Sequence, residues 1–339
     1  MMFSLRKTRL AVATALLASV SIIGGTAHPT RGAVPYFLTQ SITRIFNGGD
    51  DEPAAARDRG RADSRLPAPA RLRESDSRGL LASVWVNGRG PYTFAVDTGA
   101  GATIFSRRVA AEARVGMEAG GRGIAIGGLS GRSAGGARRA VGARLAVGSR
   151  ESHLPSGGFA VVADGLPADL DGILDPTEAF SPLGYTIDMR SLTLSAFDPR
   201  TSPLRASDAP VDGAVVRWLT ERGSRRPYVM LSGGRRALVD TGSGFGLAVN
   251  HEAARSLGIA VGDGREREGT RDIAGGEVMS RRIRSATVHV GALELRGVPT
   301  DLLTNAHAEA PVLLGRDALR PFELTFDPVN RLIRFRPAG

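Results

Sequence analysis

The sequence predicts a mostly β protein built as two similar lobes of about six strands each, with one short helix per lobe, related by internal duplication. Three observations carry this. An apolar run into Asp-Thr-Gly occurs twice, as Phe94-Ala95-Val96-Asp97-Thr98-Gly99 and Ala237-Leu238-Val239-Asp240-Thr241-Gly242, with the two Asp 143 positions apart. Landmarks around each copy recur in the same order. Short alternating or apolar runs, bounded by Gly, Pro and Asn, make up most of both halves.

The elements follow in chain order. Arg6, Lys7 and Arg9 give a cationic start, and no acidic residue precedes Asp50. Leu10 to Ile23 is apolar, and Gly25 and Ala27 hold the minus-three and minus-one places. That is the layout of a secretory signal, so residues 1–27 read as a signal peptide and the protein as exported, periplasmic or secreted. The apolar run falls short of the roughly 20 residues a membrane span needs. No stable membrane insertion is expected once the signal is cleaved; an uncleaved N-terminal anchor is the alternative. Residues 28–79 read as a flexible linker or N-terminal extension, since 48–78 are rich in charge, Ala and Pro and lack apolar periodicity. A propeptide is the alternative there.

The N-terminal lobe is expected over 80–200 and the C-terminal lobe over 211–338. In the first, Leu80–Val86 and Thr93–Val96 read as strands around the turn Asn87-Gly88-Arg89-Gly90-Pro91. A short helix follows each Asp-Thr-Gly: Ser106 to Val115 before Gly116, and Asn250 to Leu257 before Gly258. Ser106 and Asn250 suit the N-cap, and the two glycines suit C′. The glycine-rich stretches Gly120–Gly136 and Gly262–Gly276 hold equivalent places, as a pair of flaps over a cleft or as two ordinary exposed hairpins. Then come Gly172-Ile173-Leu174-Asp175 and Val312-Leu313-Leu314-Gly315. Each is followed by a strand pair, around Asp188 in one half and Asp327 in the other.

Composition excludes several chemistries. The 339 residues, 42% hydrophobic, can bury a core. With no Cys there are no disulfides, thiolate zinc sites, iron–sulfur clusters or cysteine nucleophiles. The five His lack metal-ligand spacing, so no metal and no organic cofactor is expected. The formal charge is +10, almost all of it Arg, with Lys7 the only lysine. These Arg are interleaved with Asp and Glu and have no aromatic platform, so a solvated surface is favoured over a nucleic-acid partner. Gly242-Ser243-Gly244 is not embedded in G-x-S-x-G, which argues against a serine hydrolase.

An apolar run into Asp-Thr-Gly, a small residue, a helix, two apolar residues and Gly before a final hairpin resembles the aspartic peptidases. Spacing within each half is similar to retropepsin-like domains, and two copies in one chain are similar to the bilobal pepsin-type arrangement. The resemblance spans roughly 80–338 and implies the acid-protease fold. It also implies a catalytic dyad, Asp97 and Asp240. Two carboxyls about 3 Å apart cannot both ionise, so they share one proton. The ionised member is then a general base for water, while the protonated one polarises the scissile carbonyl. By the same resemblance Thr98 and Thr241 would clasp across the lobes, and Gly99 and Gly242 would let backbone approach the carboxylates. The implied activity is that of an exported aspartic endopeptidase on a peptide or protein substrate. One chain supplies both lobes, so a monomer suffices. The alternative is a catalytically inactive relative that binds peptides in the interlobe cleft.

Two features break the symmetry. Ser243 offers a hydroxyl to Asp240 where Ala100 offers none to Asp97, so Asp240 is expected to be the more readily ionised member. Asp175, followed by Pro176, stands where the family has Gly, which adds a carboxylate near the site; it is either accommodated there or the mark of a degenerate first lobe. Tyr92 and Tyr228 read as packing residues rather than flap tyrosines.

Overall fold

The structure, a computed structural model, describes residues 66–338 apart from 121–122, 156–157, 222–223 and 268. The expected signal peptide therefore lies outside the described residues. The chain is mostly β, in sheets of ten, seven, six and two strands, with four short α-helices among the described residues.

Each half repeats one pattern of strand pairing. In the first, the strand Arg89–Val96, which leads into Asp97, runs parallel to Gly172–Leu174, with Leu174 opposite Val96. Gly172–Leu174 is antiparallel to Thr103–Ser106, which is parallel to Ala160–Ala163. In the second, Arg236–Asp240 runs parallel to Val312–Gly315, with Asp240 opposite Gly315. Val312–Gly315 is antiparallel to Leu247–Val249, which is parallel to Leu293–Leu303. The central strands are buried on both faces, which is why they read as continuous Val, Leu, Ile and Ala rather than as an alternation.

The four helices are α1 (Arg107–Glu112), α2 (Pro176–Ala179), α3 (His251–Ser256) and α4 (Arg316–Leu319). Ser106 and Asn250 cap α1 and α3 as expected, accepting from the Val109 and Ala253 N–H groups at 3.2 and 2.8 Å. Gly258 takes the left-handed conformation after α3. After α1 that conformation falls on Arg114, and Gly116 instead opens the strand Gly116–Met117.

The closing hairpins leave their lobes and join. Gly184–Asp188 pairs antiparallel with Phe322–Asp327, and the hairpin partners Thr193–Phe197 and Leu332–Pro337 flank them in a six-stranded sheet shared by both halves. Tyr185 stacks on Phe326 across this junction with ring centroids 4.7 Å apart, and Trp218 meets Phe326 edge-on. Scarce aromatics are thus concentrated where the halves meet.

The expected linker through residue 79 is corrected at its end. Ala70–Arg71 pairs with Thr193–Phe197, and Arg73–Ser75 pairs with Gly79–Val86. Ala70 and Leu72 are buried among charged neighbours that face outward. Two apolar residues in a charged run are too few for periodicity to reveal, yet enough to pin the strands.

Candidate active site

Asp97 and Asp240 meet at the junction of the halves. Each follows or ends a buried strand whose register to its parallel neighbour is fixed, and each is 1% exposed. Their carboxyls face one another closely enough that each shifts the proton affinity of the other.

The loops that carry them are tied together reciprocally. Thr98 Oγ1 donates to the Val239 carbonyl at 2.6 Å and accepts from the Thr241 N–H at 3.1 Å. Thr241 Oγ1 donates to the Val96 carbonyl at 3.0 Å and accepts from the Thr98 N–H at 3.2 Å. All four groups are buried, so losing either hydroxyl would strand a backbone N–H and a carbonyl. The glycines have a sharper reason than loop geometry. A Cβ on Gly99 would lie 2.8 Å from Asp240 Cγ, and one on Gly242 would lie 2.3 Å from Asp97 Cγ. Each glycine is the floor under the opposite lobe's carboxyl, and a methyl there would push the two acids apart.

The two acids differ in proton affinity. Burial, then the Asp240 charge and the hydrogen bond to Asp240, raise Asp97 well above the usual carboxylate range; the Gly99 N–H, 2.8 Å from Oδ1, opposes this. Burial also raises Asp240, but only to about 6. It is held down by the hydrogen bond from Asp97, the Ser243 and Gly242 N–H groups at 3.1 and 2.9 Å, and the Arg316 guanidinium. The pair therefore shares a proton, and its surroundings favour that proton on the Asp97 side and the charge on the Asp240 side.

That asymmetry has the expected direction but a different source. The Ser243 hydroxyl oxygen accepts from the Phe245 N–H at 3.3 Å; it is the Ser243 backbone that donates to Asp240. Sequence reasoning also missed Arg316. The residue is 4% exposed, and Nη1 donates to the Thr241 and Gly242 carbonyls at 3.1 and 3.0 Å, beneath the Asp240 loop.

Asp175 is accommodated rather than disruptive. It is the N-cap of α2, its Oδ1 accepting from the Thr177 N–H at 2.8 Å, and the pairing of Leu174 with Val96 beside it is intact. Tyr92 and Tyr228 are buried packing residues.

The glycine-rich hairpins of the two halves meet at their turns. The turn between Ile124–Gly127 and Ser133–Val141 meets the turn between Thr270–Arg271 and Glu277–Val278. Ser130 donates through N–H and Oγ to Asp272 Oδ2, at 2.9 and 2.7 Å. Leu129 packs with Phe245, Val278 and Leu303 of the second lobe, and Ile273 with Ala100, Ala102 and Leu170 of the first. Among the described residues no group of His, Cys, Asp and Glu could hold a metal ion.

Two family models match the chain. Residues 82–174 match one described as an aspartyl protease, and residues 234–321 match one of gag-polyprotein aspartyl proteases. Between them they cover the Asp97 and Asp240 loops and the paired strands around each. No curated protein is similar enough to match.

Proposed function

Because the chain is a retropepsin-like aspartic peptidase with two such domains in one polypeptide, we propose that it is an exported endopeptidase whose dyad, Asp97 and Asp240, activates the hydrolytic water. The carrying observation is the pair of buried carboxyls, one from each half, in mutual contact and differing in proton affinity.

The Asp240 carboxylate takes a proton from water as the water oxygen bonds to the scissile carbonyl carbon. Asp97 gives its proton to the carbonyl oxygen, which becomes one hydroxyl of a tetrahedral diol. On collapse, Asp240 returns its proton to the amide nitrogen, the C–N bond breaks, and Asp97 recovers a proton from the re-forming carbonyl. Thr98 and Thr241 hold the dyad in register. Gly99, Gly242 and Ser243 supply backbone contacts and clearance. Cleavage at internal bonds rests on the two-lobed arrangement, in which an extended substrate would lie between the halves. An inactive peptide-binding relative is the alternative; the intact Asp97 and Asp240 and the capping role of Asp175 support the active reading. Export rests on the cationic start and apolar run at 1–27.

The test is cleavage of an unbiased peptide mixture, with products identified by mass. Internal cuts are expected, with Asp97→Asn and Asp240→Asn each slower by about a thousandfold. Undiminished turnover in either variant refutes the dyad; products trimmed only from chain ends refute the endopeptidase.

A further inference from the structure

One acidic side chain beside the dyad has no part in this chemistry. Leu174 pairs with Val96, and the Asp97 N–H donates to the Leu174 carbonyl at 3.0 Å, so Asp175 stands one step on, opposite Asp97 across the parallel strands. It is 1% exposed. Oδ1 is used by the Thr177 N–H, but Oδ2 is buried without a hydrogen-bond partner. A helix cap needs only one oxygen, and a hydroxyl or amide would provide it without burying an acid.

Its surroundings only partly offset its burial. The groups that face it are Glu178 on α2, the Tyr185 hydroxyl, Arg225 and Asp97. Tyr185 is engaged with Thr177 Oγ1 at 2.9 Å. Arg225 donates to Ser181 Oγ at 2.9 Å and lies 3.7 Å from Glu178, so its charge offsets the rise in Asp175 only in part. Burial, then the Glu178 charge, push Asp175 up to about 8. The groups that face Asp97 are Asp240 and Asp175, and the Asp175 charge raises the proton affinity of Asp97 further. The second lobe has Gly315 at the matching place, so this influence acts on one member of the dyad only.

We propose that Asp175 is a positioning residue: its buried carboxyl, set opposite Asp97 with one oxygen unpartnered, biases the dyad proton toward Asp97 and so keeps Asp240 as the base. As pH rises, whichever of Asp175 and Asp97 ionises first opposes ionisation of the other. The proposal rests on the hydrolytic reading for its kinetic consequence, but not for the titration itself.

Asp175→Asn keeps the capping oxygen and removes the ionisable carboxyl; Asp175→Ser is the second non-ionisable variant should the first fail to fold. Two measurements are made on each: the pH dependence of kcat/KM, and the carboxyl carbon NMR shift of Asp97 in substrate-free protein. The alkaline limb and the Asp97 titration should both move down by about half a pH unit, with the acid limb fixed. A role confined to capping α2 would lower kcat or melting temperature and leave both midpoints where they were, and that result overturns the proposal. If the wild-type chain cleaves nothing, the hydrolytic reading fails, while the Asp97 titration still decides the role of Asp175.

Discussion

The corner that follows the inner strand is built in opposite ways in the two lobes. In the second, Gly315 leads into α4, and the first helical N–H groups find acceptors on the catalytic loop: Arg316 N donates to the Ser243 carbonyl at 2.9 Å and Asp317 N to the Phe245 carbonyl at 3.2 Å. The loop lies so close that a Cβ on Gly315 would sit 2.4 Å from the Phe245 carbonyl oxygen. In the first lobe Pro176 has no N–H to satisfy, and Asp175 caps α2 with its own carboxyl. The Asp175 N–H goes to Thr103 Oγ1 at 3.3 Å, where Gly315 uses the Gly246 carbonyl at 2.8 Å. A side-chain cap has replaced a loop cap, and that makes room for an acid beside Asp97. Across the dyad from it, Arg316 reaches beneath Asp240. The difference between lobes is therefore a polarity: an acid behind the proton donor and a cation behind the base.

Transplanting one corner into the other is the harshest way to break this comparison. Gly315→Asp puts a side chain where the Phe245 carbonyl already is and pulls the catalytic loop from the α4 N–H groups. It should cost about 3 kcal/mol in urea unfolding and abolish detectable cleavage. The reverse change, Asp175→Gly, loses only a cap and should cost about 1 kcal/mol. Similar costs for the two would mean that the corners are not built as described.

A smaller effect is expected from Arg316→Met, which fills a similar space. The Thr241 and Gly242 carbonyls lose their donor and Asp240 loses its cation. Stability should fall by about 2 kcal/mol. Removing a positive charge disfavours the carboxylate, so Asp240 takes up its proton at higher pH. The acid limb of kcat/KM, expected at about 6 in the wild type, should then move upward. An acid limb that stays in place would show that burial and backbone N–H groups alone set Asp240.

How much of this could be read in advance depended on distance along the chain. The dyad loops, the N-caps Ser106 and Asn250 and the recurring strand order are local patterns repeated twice, and repetition exposed them. Arg316 was hidden because its partners lie about 75 residues upstream, on a loop whose position depends on the parallel pairing of Asp240 with Gly315. The joining of the hairpin turns through Ser130 and Asp272, 142 positions apart, likewise exists only once both lobes have folded. Asp175 was visible as a departure, but whether it would disturb or cap could not be told without seeing that Pro176 frees the corner from its loop.

The smallest effect sharpens the comparison at Ser243. Spacing alone suggested that its hydroxyl sets the ionisation of Asp240, by contrast with Ala100. In the fold the hydroxyl oxygen faces the Phe245 N–H, and the contact to Asp240 is made by the backbone. Ser243→Ala keeps that backbone N–H and makes the two catalytic loops chemically alike at this place. It should leave the acid limb of the pH–rate profile unmoved and cost about 1 kcal/mol for the lost acceptor. An upward shift would mean that the hydroxyl turns to Asp240 when substrate is bound; a fixed limb leaves the polarity of the dyad to Arg316 on one side and Asp175 on the other.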